Sequence, residues 1–177
     1  MSGVLMLLMN NQRIVSVPSV VYSAGVFKSI YGGYFNDFLP FFDEMSPRAT
    51  SVETTQIYHA DDEDYYSVQW LGYFKPTTTE THTFFLNSDD ASYMWIGPTA
   101  VTGFHTGNPL INNGGEHGTQ EFSGSIALTA GQYYAVRIVF GEAEGEAFLQ
   151  FNYQTPTIAK TTNVTGKVFY NPATNGF

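Results

Sequence analysis

The stretch Phe84-Phe85-Leu86-Asn87-Ser88-Asp89-Asp90-Ala91-Ser92-Tyr93-Met94-Trp95-Ile96-Gly97 joins two apolar segments through a pair of aspartates. The segments 84–86 and 93–96 are typical of strands, because aromatic and aliphatic residues favour a pleated, half-buried backbone. Neighbouring side chains on extended backbone point to opposite sides, so Asp89 and Asp90 converge only if the backbone between them bends. Calcium favours such convergence, since it takes roughly six to eight oxygen ligands. A solvated turn is the alternative, because aspartates are common in hairpin connections.

Apolar residues recur at every second position on both sides of this stretch. Tyr66, Val68 and Trp70 share one face of the segment 65–73, and the same alternation runs through 132–140 and 147–153. A period of two indicates strands, and its repetition at this spacing indicates an antiparallel sandwich or barrel. We therefore predict an all-β protein, an antiparallel β-sandwich of jelly-roll-like type.

A long segment from Gly97 to Gly124 departs from this pattern. It is rich in glycine and asparagine and has little apolar periodicity. Loops of this kind at the end of a sandwich commonly carry recognition residues. Its candidate recognition residues are Phe104, His105, Asn108, Asn112 and Asn113, and the amide side chains among them can both donate and accept hydrogen bonds. Turn formation is the alternative for the asparagines. Trp95, inside an apolar strand, is predicted to be core.

Composition restricts the classes of partner. The chain has 177 residues and a formal net charge of −9, so phosphate backbones and anionic membrane surfaces would be repelled. It has no cysteine, which excludes disulfides and thiolate chemistry. We expect an apolar N-terminal arm over residues 1–12 and a single domain over residues 13–177, a size that buries a proper core. Residues 1–60 give no detailed fold prediction.

The N-terminal run Met1–Met9 is apolar but lacks the basic region and the cleavage site of a secretory signal. It is also too short to cross a bilayer, which takes about 20 apolar residues. We therefore expect a chain made in a host cytoplasm without a standard signal peptide and without membrane insertion. The apolar arm is expected to dock onto its own domain or onto a neighbouring subunit.

Three blocks of sequence resemble the GLEYA-type adhesin domain of the protective-antigen (PA-fourteen) β-sandwich superfamily. They are Gly72–Pro76, then Thr81–Phe85 together with Ser88–Gly97 and its Asp-Asp pair, and Ile126–Phe140 with Leu128-Thr129-Ala130-Gly131-Gln132-Tyr133-Tyr134. The segment 108–115 keeps the family's order between them. The resemblance covers about residues 65–153, and the block around Asp89-Asp90 is its most specific part.

The resemblance implies a calcium-dependent, lectin-like carbohydrate-binding site. With that ligand, the predicted sugar-binding residues are those of the long loop: Phe104, His105, Asn108, Asn112 and Asn113. In that family the two aspartates are joined by a cis peptide bond and hold calcium, to which sugar hydroxyls bind. Asp89 and Asp90 occupy those positions. A second loop supplies an asparagine in the family, whereas the corresponding loop here, residues 141–146, has none. Glu142 or Glu144 is expected to replace it, or the loop has lost the metal.

The sequence gives little support for a zinc site or for glycosidase activity. The four histidines are scattered and lack the spacing of a zinc-binding helix. A glycosidase needs two acids on either side of the bond that it cleaves, which adjacent residues of one loop cannot easily provide. We expect a protein that is not an enzyme.

The leading hypothesis is a calcium-dependent, adhesin-like protein of a virion surface, such as a phage capsid decoration or tail protein. It would engage cell-surface glycans, and its N-terminal arm would contact other virion or assembly subunits. The alternative is a phage structural protein, a virion, coat or decoration component that keeps the sandwich without a ligand site.

Overall fold

The computed structural model describes residues 20–177, so the predicted arm over residues 1–12 lies outside the described part of the chain. Short helices are α1 Phe41–Glu44 and α2 Pro98–Val101. The strands are β1 Ser23–Ala24, β2 Val26–Gly32, β3 Ala49–Glu53, β4 Tyr58–Asp61, β5 Tyr66–Phe74, β6 Glu80–Asp89, β7 Ser92–Ile96, β8 Ile111–Asn113, β9 Gln120–Leu128, β10 Tyr134–Glu142, β11 Ala147–Gln154 and β12 Val168–Tyr170. No helix in residues 20–177 is long and apolar enough to cross a membrane.

Two antiparallel sheets pack face to face. The larger has the order β1-β12-β5-β10-β7-β8, with β2 also paired to β5 and β3 paired to β2. The smaller has the order β4-β11-β6-β9. This arrangement confirms the all-β sandwich predicted from the alternation of apolar residues.

The main core lies between the two sheets. Tyr66, Val68 and Trp70 of β5 are all fully buried there, on the shared face that the sequence predicts. Phe84 and Leu86 of β6 contribute from the smaller sheet. Side chains at alternate positions of facing strands thus interdigitate, as expected for packed sheets.

A second apolar layer covers the outer face of the larger sheet. The segment after β2 places Phe35, Leu39 and Phe42 against Tyr93 and Trp95 of β7. Trp95 is fully buried, which confirms its predicted core position. Because β7 and β10 have both faces covered, they are apolar almost throughout instead of alternating.

Two connections cross between the sheets at one end of the sandwich. Residues 90–91 lead from β6 in the smaller sheet to β7 in the larger one, and residues 143–146 lead from β10 to β11 in the opposite direction. The pairings of Phe140 with Ser92 and of Phe148 with Asp89 hold these crossings side by side.

Two predicted boundaries are wrong. Glu142 was expected in a loop but ends β10, because the pairing of β10 with β5 continues to Tyr66. The long loop from Gly97 to Gly124 is interrupted by α2, by β8 and by the first residues of β9, since β8 adds to the edge of the larger sheet beside β7.

Candidate metal and ligand site

Three carboxylates meet where the chain crosses between the sheets. Asp89 ends β6, Asp90 follows it through a cis peptide bond, and Glu142 ends β10. One carboxylate oxygen from each of the three lies within 4.8 Å of the other two. Asp89, Asp90 and Glu142 are called the acidic cluster below.

Asp90 connects two loops through its carboxylate. Its Oδ1 accepts a hydrogen bond from the backbone N–H of His117 at 2.7 Å, and its Oδ2 accepts one from the backbone N–H of Ala143 at 3.0 Å. Each oxygen of an ionised carboxylate keeps a second lone pair that can face a cation. Asp90 therefore organises the loops 114–119 and 143–146 around the cluster.

A buried network of hydrogen bonds holds the backbone of the aspartate pair in place. The Ser88 hydroxyl donates to the backbone carbonyl of Asp90 at 2.7 Å, and Asn113 Nδ2 donates to Ser88 Oγ at 2.9 Å. On the other side, the Thr119 hydroxyl donates to Asp89 Oδ2 at 3.2 Å. These contacts restrict the positions of both carboxylates.

Glu142 is the member of the acidic cluster whose buried charge has no hydrogen-bond donor among the described residues. Its side chain is fully buried, and neither carboxylate oxygen accepts a hydrogen bond from any described residue. Burial, followed by the charges of Asp90 and Asp89, raises the pKa of Glu142 to about 7. A buried carboxylate without a donor is costly unless a cation compensates it.

The donor set fits a hard divalent cation. Three carboxylates offer oxygen ligands only, and calcium prefers oxygen ligands with carboxylates among them. One carboxylate oxygen of Glu142 lies within 4.8 Å of an oxygen of each of the two aspartates that raise its pKa. The residues present therefore fit calcium, which Asp89, Asp90 and Glu142 would hold.

An open cavity of about 420 Å³ adjoins the cluster. Its lining residues are Tyr65, Asp90, Glu116, Ala143 and Glu144. The backbone N–H of Tyr65 donates to Ala143 O at 3.0 Å, and the Tyr65 hydroxyl donates to the Glu144 carboxylate. The exposed Tyr65 ring thus stands at the cavity, secured at its backbone and at its hydroxyl. A volume of this size suits a small ligand.

The structure distinguishes Glu142 from Glu144, which the sequence offered as alternative metal ligands. Glu142 belongs to the acidic cluster, whereas Glu144 is exposed on the wall of the cavity and bonds to Tyr65. Glu142 is the last residue of β10 and is in phase with Ile138 and Phe140, whose side chains enter the core, whereas Glu144 lies beyond the end of the strand.

Four of the five residues predicted to contact sugar make contacts within their own loop or with the strands beneath it. Asn108 Oδ1 accepts from the Trp95 indole N–H at 2.9 Å and from the backbone N–H of His105 at 3.0 Å. Asn112 Oδ1 accepts from the backbone N–H of Gly114, and the Phe104 ring lies 3.9 Å from the Arg137 guanidinium carbon. None of these side chains lines the cavity beside the cluster.

Asn113 is the member of that set that approaches the cluster. It is 1% exposed, and its Oδ1 has no hydrogen-bond partner among residues 20–177. Its backbone carbonyl lies 3.1 Å from His117 Nε2, so it also positions the loop that caps Asp90. Its role here is to support the aspartate pair.

Sequence reasoning missed Tyr65, Glu116, His117 and Thr119. Their loops come to the cluster only through tertiary pairing, although one local signal was present. The segment Gly114-Gly115-Glu116-His117-Gly118 is a glycine-bounded acidic turn like residues 141–146. Two such turns in one chain are candidates for the walls of one site.

The fold and the site together define a β-sandwich with an aspartate pair where the chain crosses between its sheets. The model of the GLEYA domain family matches residues 66–155, slightly more than half of the chain. The chain therefore belongs to the GLEYA domain family, as the resemblance predicted. No curated protein matches the chain.

Solved structures share this fold at low sequence identity. The Epithelial Adhesin 9 A domain from Candida glabrata, solved in complex with Galb1-4GlcNAc, has a TM-score of 0.68 and 14% identity over 87% of this chain and 92% of its own. The PA14 domain of the MpAFP antifreeze protein has a TM-score of 0.67 and 15% identity over 89% and 96%.

An anti-sigma factor domain-containing protein has a TM-score of 0.66 and 19% identity over 82% of this chain. The match covers 48% of that protein, so the chain spans about half of its length. At these identities the likeness establishes the fold alone.

Proposed function

We propose that this chain is a calcium-dependent, lectin-like carbohydrate-binding domain and not an enzyme. The observation that carries the proposal is the fully buried carboxylate of Glu142, which lacks a hydrogen-bond donor and lies beside Asp89 and Asp90. A cation held by all three carboxylates offsets the cost of burying them together. Membership of the GLEYA family and the fold shared with a sugar-complexed adhesin domain support the choice of ligand.

The protein supplies the ligands and the walls of the site. Asp89, Asp90 and Glu142 would hold calcium, which supplies open coordination positions for sugar hydroxyl oxygens. Three carboxylates leave such positions free, because calcium takes roughly six to eight oxygens. Tyr65 offers an aromatic face to a sugar ring, an arrangement that combines an apolar surface with a polar tip.

Thermal unfolding with calcium and with EDTA tests the cation. At pH 8, calcium at about 100 times its dissociation constant stabilises a native-only site by about 2.7 kcal/mol. The wild-type melting temperature should therefore rise by roughly 5–10 °C for a chain of this size. Asp89→Asn should lose most of this rise. Asp61→Asn is the matched control, since Asp61 is an exposed carboxylate outside the cluster.

A glycan array with and without EDTA tests the ligand. Binding that EDTA abolishes and that Asp89→Asn lacks would support the lectin. A calcium-dependent melting shift without glycan binding would restrict the cation to a structural role. Neither effect at millimolar calcium would favour the alternative of a structural sandwich without a ligand site. The virion setting and the role of the N-terminal arm stay predictions.

A further inference from the structure

We propose that the outer face of the smaller sheet is a second carbohydrate site, which binds an extended, uncharged oligosaccharide without a cation. The site is formed by Tyr58 of β4, Asn87 of β6, and Phe148 and Gln150 of β11. These four residues are called the outer platform below. The inference goes beyond the proposed function, because the platform uses neither the acidic cluster nor the cation proposed for it.

The strand register places the side chains of the outer platform next to one another. Gln150 pairs with Tyr58 on one side and with Asn87 on the other. Phe148 lies two residues from Gln150 on the same strand, and Leu149 between them enters the core, so both side chains lie on the outer face. Neighbouring strands are about 4.8 Å apart, and residues two positions apart on one strand are separated by about 6.7 Å. The four side chains therefore form one continuous surface.

The outer platform combines aromatic rings with unpaired amides. Tyr58 is 38% exposed, and the other three side chains are half-buried. Within residues 20–177, the outward-facing side chains of β6, β9 and β11 form hydrogen bonds only between Thr83 and Ser125, Asp89 and Thr119, and Glu121 and Lys160. None of these bonds involves Asn87 or Gln150. Each amide of the platform thus keeps its two donor hydrogens and its acceptor oxygen for a ligand.

A third amide extends the row along β11 and ends beneath a lysine. Asn152 is 7% exposed, and its side chain likewise has no hydrogen-bond partner among the described residues. It pairs with Phe85, and the Lys160 ammonium lies 4.1 Å from the centre of the Phe85 ring. Lys160 also forms an ion pair with Glu121 at 2.6 Å, so its side chain covers the face there. The open part of the face therefore ends at Lys160.

An open cavity of about 600 Å³ adjoins the aromatic end of the platform. Tyr58 and Phe148 line it, together with the carboxylates of Asp61, Asp62 and Glu146. It shares no lining residue with the cavity beside the acidic cluster. A volume of this size accommodates a small ligand or one end of a longer one.

The composition of the platform indicates the class of ligand. An aromatic ring packs on the C–H face of a sugar ring, while amides donate to and accept from hydroxyl groups. The platform has no basic side chain to pair with a phosphate or sulfate, and the net charge of −9 repels such groups. It also has no aliphatic side chain, whereas the core of a protein interface is mainly apolar. An uncharged sugar chain that lies across β11 meets these conditions.

Affinity electrophoresis of the full-length chain in EDTA tests the outer platform. The net charge of −9 drives migration in a native gel, and an uncharged polysaccharide in the gel slows only a protein that binds it. The probes are galactomannan, glucomannan, xyloglucan, laminarin and dextran. We expect at least one of them to retard the wild type with the cation removed. Unchanged migration with every probe overturns the outer platform and leaves the cation site of the proposed function untouched.

Variants assign the binding to the platform. Phe148→Ala and Gln150→Ala should each weaken binding about fivefold to tenfold, because the first removes a ring and the second an amide. Phe122→Ala and Gln132→Ala are the matched controls, since both are exposed residues of the same types outside the platform, and they should bind like the wild type. Gln150→Ala keeps the test decisive if loss of the half-buried Phe148 ring destabilises the fold. Retardation in EDTA that both platform variants retain places the binding elsewhere and overturns the proposal.

Sedimentation velocity separates a sugar ligand from a second copy of the chain. We expect a monomer for both the wild type and Phe148→Ala. A dimer of the wild type that Phe148→Ala abolishes would assign this face to a protein interface and would also overturn the proposal.

Discussion

Replacing Glu142 by Gln should change stability in opposite directions depending on calcium. In the folded protein without cation, the pKa of Glu142 is raised from 4.5 to about 7 by burial and by its aspartate neighbours. The raised pKa means that the folded state holds this proton more tightly than the unfolded state. The contribution of Glu142 to stability is therefore fully present below pH 4.5 and is lost as the pH rises through about 7.

The size of the effect follows from the shift. A rise from 4.5 to about 7 corresponds to about 3 kcal/mol at pH 8, and we take half because water in the adjoining cavity screens the charges. Glu142→Gln removes the charge with little change in shape. In EDTA at pH 8 it should raise the melting temperature by roughly 3–6 °C relative to the wild type. With calcium it should lose most of the stabilisation that the wild type gains.

Differential scanning calorimetry of the wild type and the variant, each in EDTA and in millimolar calcium, checks both signs. Glu144→Gln is the matched control, an exposed glutamate two residues away that lies outside the acidic cluster, and it should respond to calcium like the wild type. A Glu142→Gln protein that is less stable in EDTA and keeps the full calcium response would refute the cation-binding role of this carboxylate.

Three further predictions concern the rest of the domain. Burial and the charge of Lys28 lower the pKa of His59 from 6.5 to about 4, so the stability that this residue contributes above pH 6.5 should fall by about 2 kcal/mol from pH 7 to pH 5. His59→Gln should remove this component, which urea denaturation of the wild type and of the variant at both pH values measures. Asn108→Ala should cost about 1–3 kcal/mol by the same assay, because Trp95 Nε1 loses the nearer of its two acceptors and keeps only the His105 carbonyl at 3.3 Å. The calcium shift should stay intact, and its loss would contradict a purely structural role. Gly114→Ala should lower the melting temperature, since its Cβ would lie 1.7 Å from the hydroxyl oxygen of buried Tyr93; an unchanged melting temperature would show that the ring moves aside freely.

The parts of the fold that were predictable are those in which one sheet face is buried. The alternation in β5 identifies its core face, and β11 shows the same pattern. The second apolar layer was not predictable, because Phe35, Leu39 and Phe42 have no regular period and acquire meaning only when packed on Trp95. From the sequence alone, this irregular segment is predicted to be a connection between strands.

The candidate site likewise contains residues that the sequence predicted and residues that only the structure brought together. The adjacency of Asp89 and Asp90 is local, so the sequence alone identified them as candidate ligands and the structure describes the cis peptide bond that the resemblance implied. The choice of Glu142 over Glu144 was not predictable from the sequence, because both residues keep the parity of the apolar positions in β10 and only the end of that strand at Glu142 separates them.

Tertiary structure alone decided what surrounds the aspartates. His117 and Ala143 donate to Asp90 across 27 and 53 residues of chain, and Tyr65 reaches Glu144 across 79. No local pattern encodes such distances, because they depend on which strands pair and where the chain crosses between sheets. The sequence by itself therefore determined the long central strands after residue 65 and the aspartate pair, while sheet pairing decided which loops enclose that pair and which charge the cavity carries.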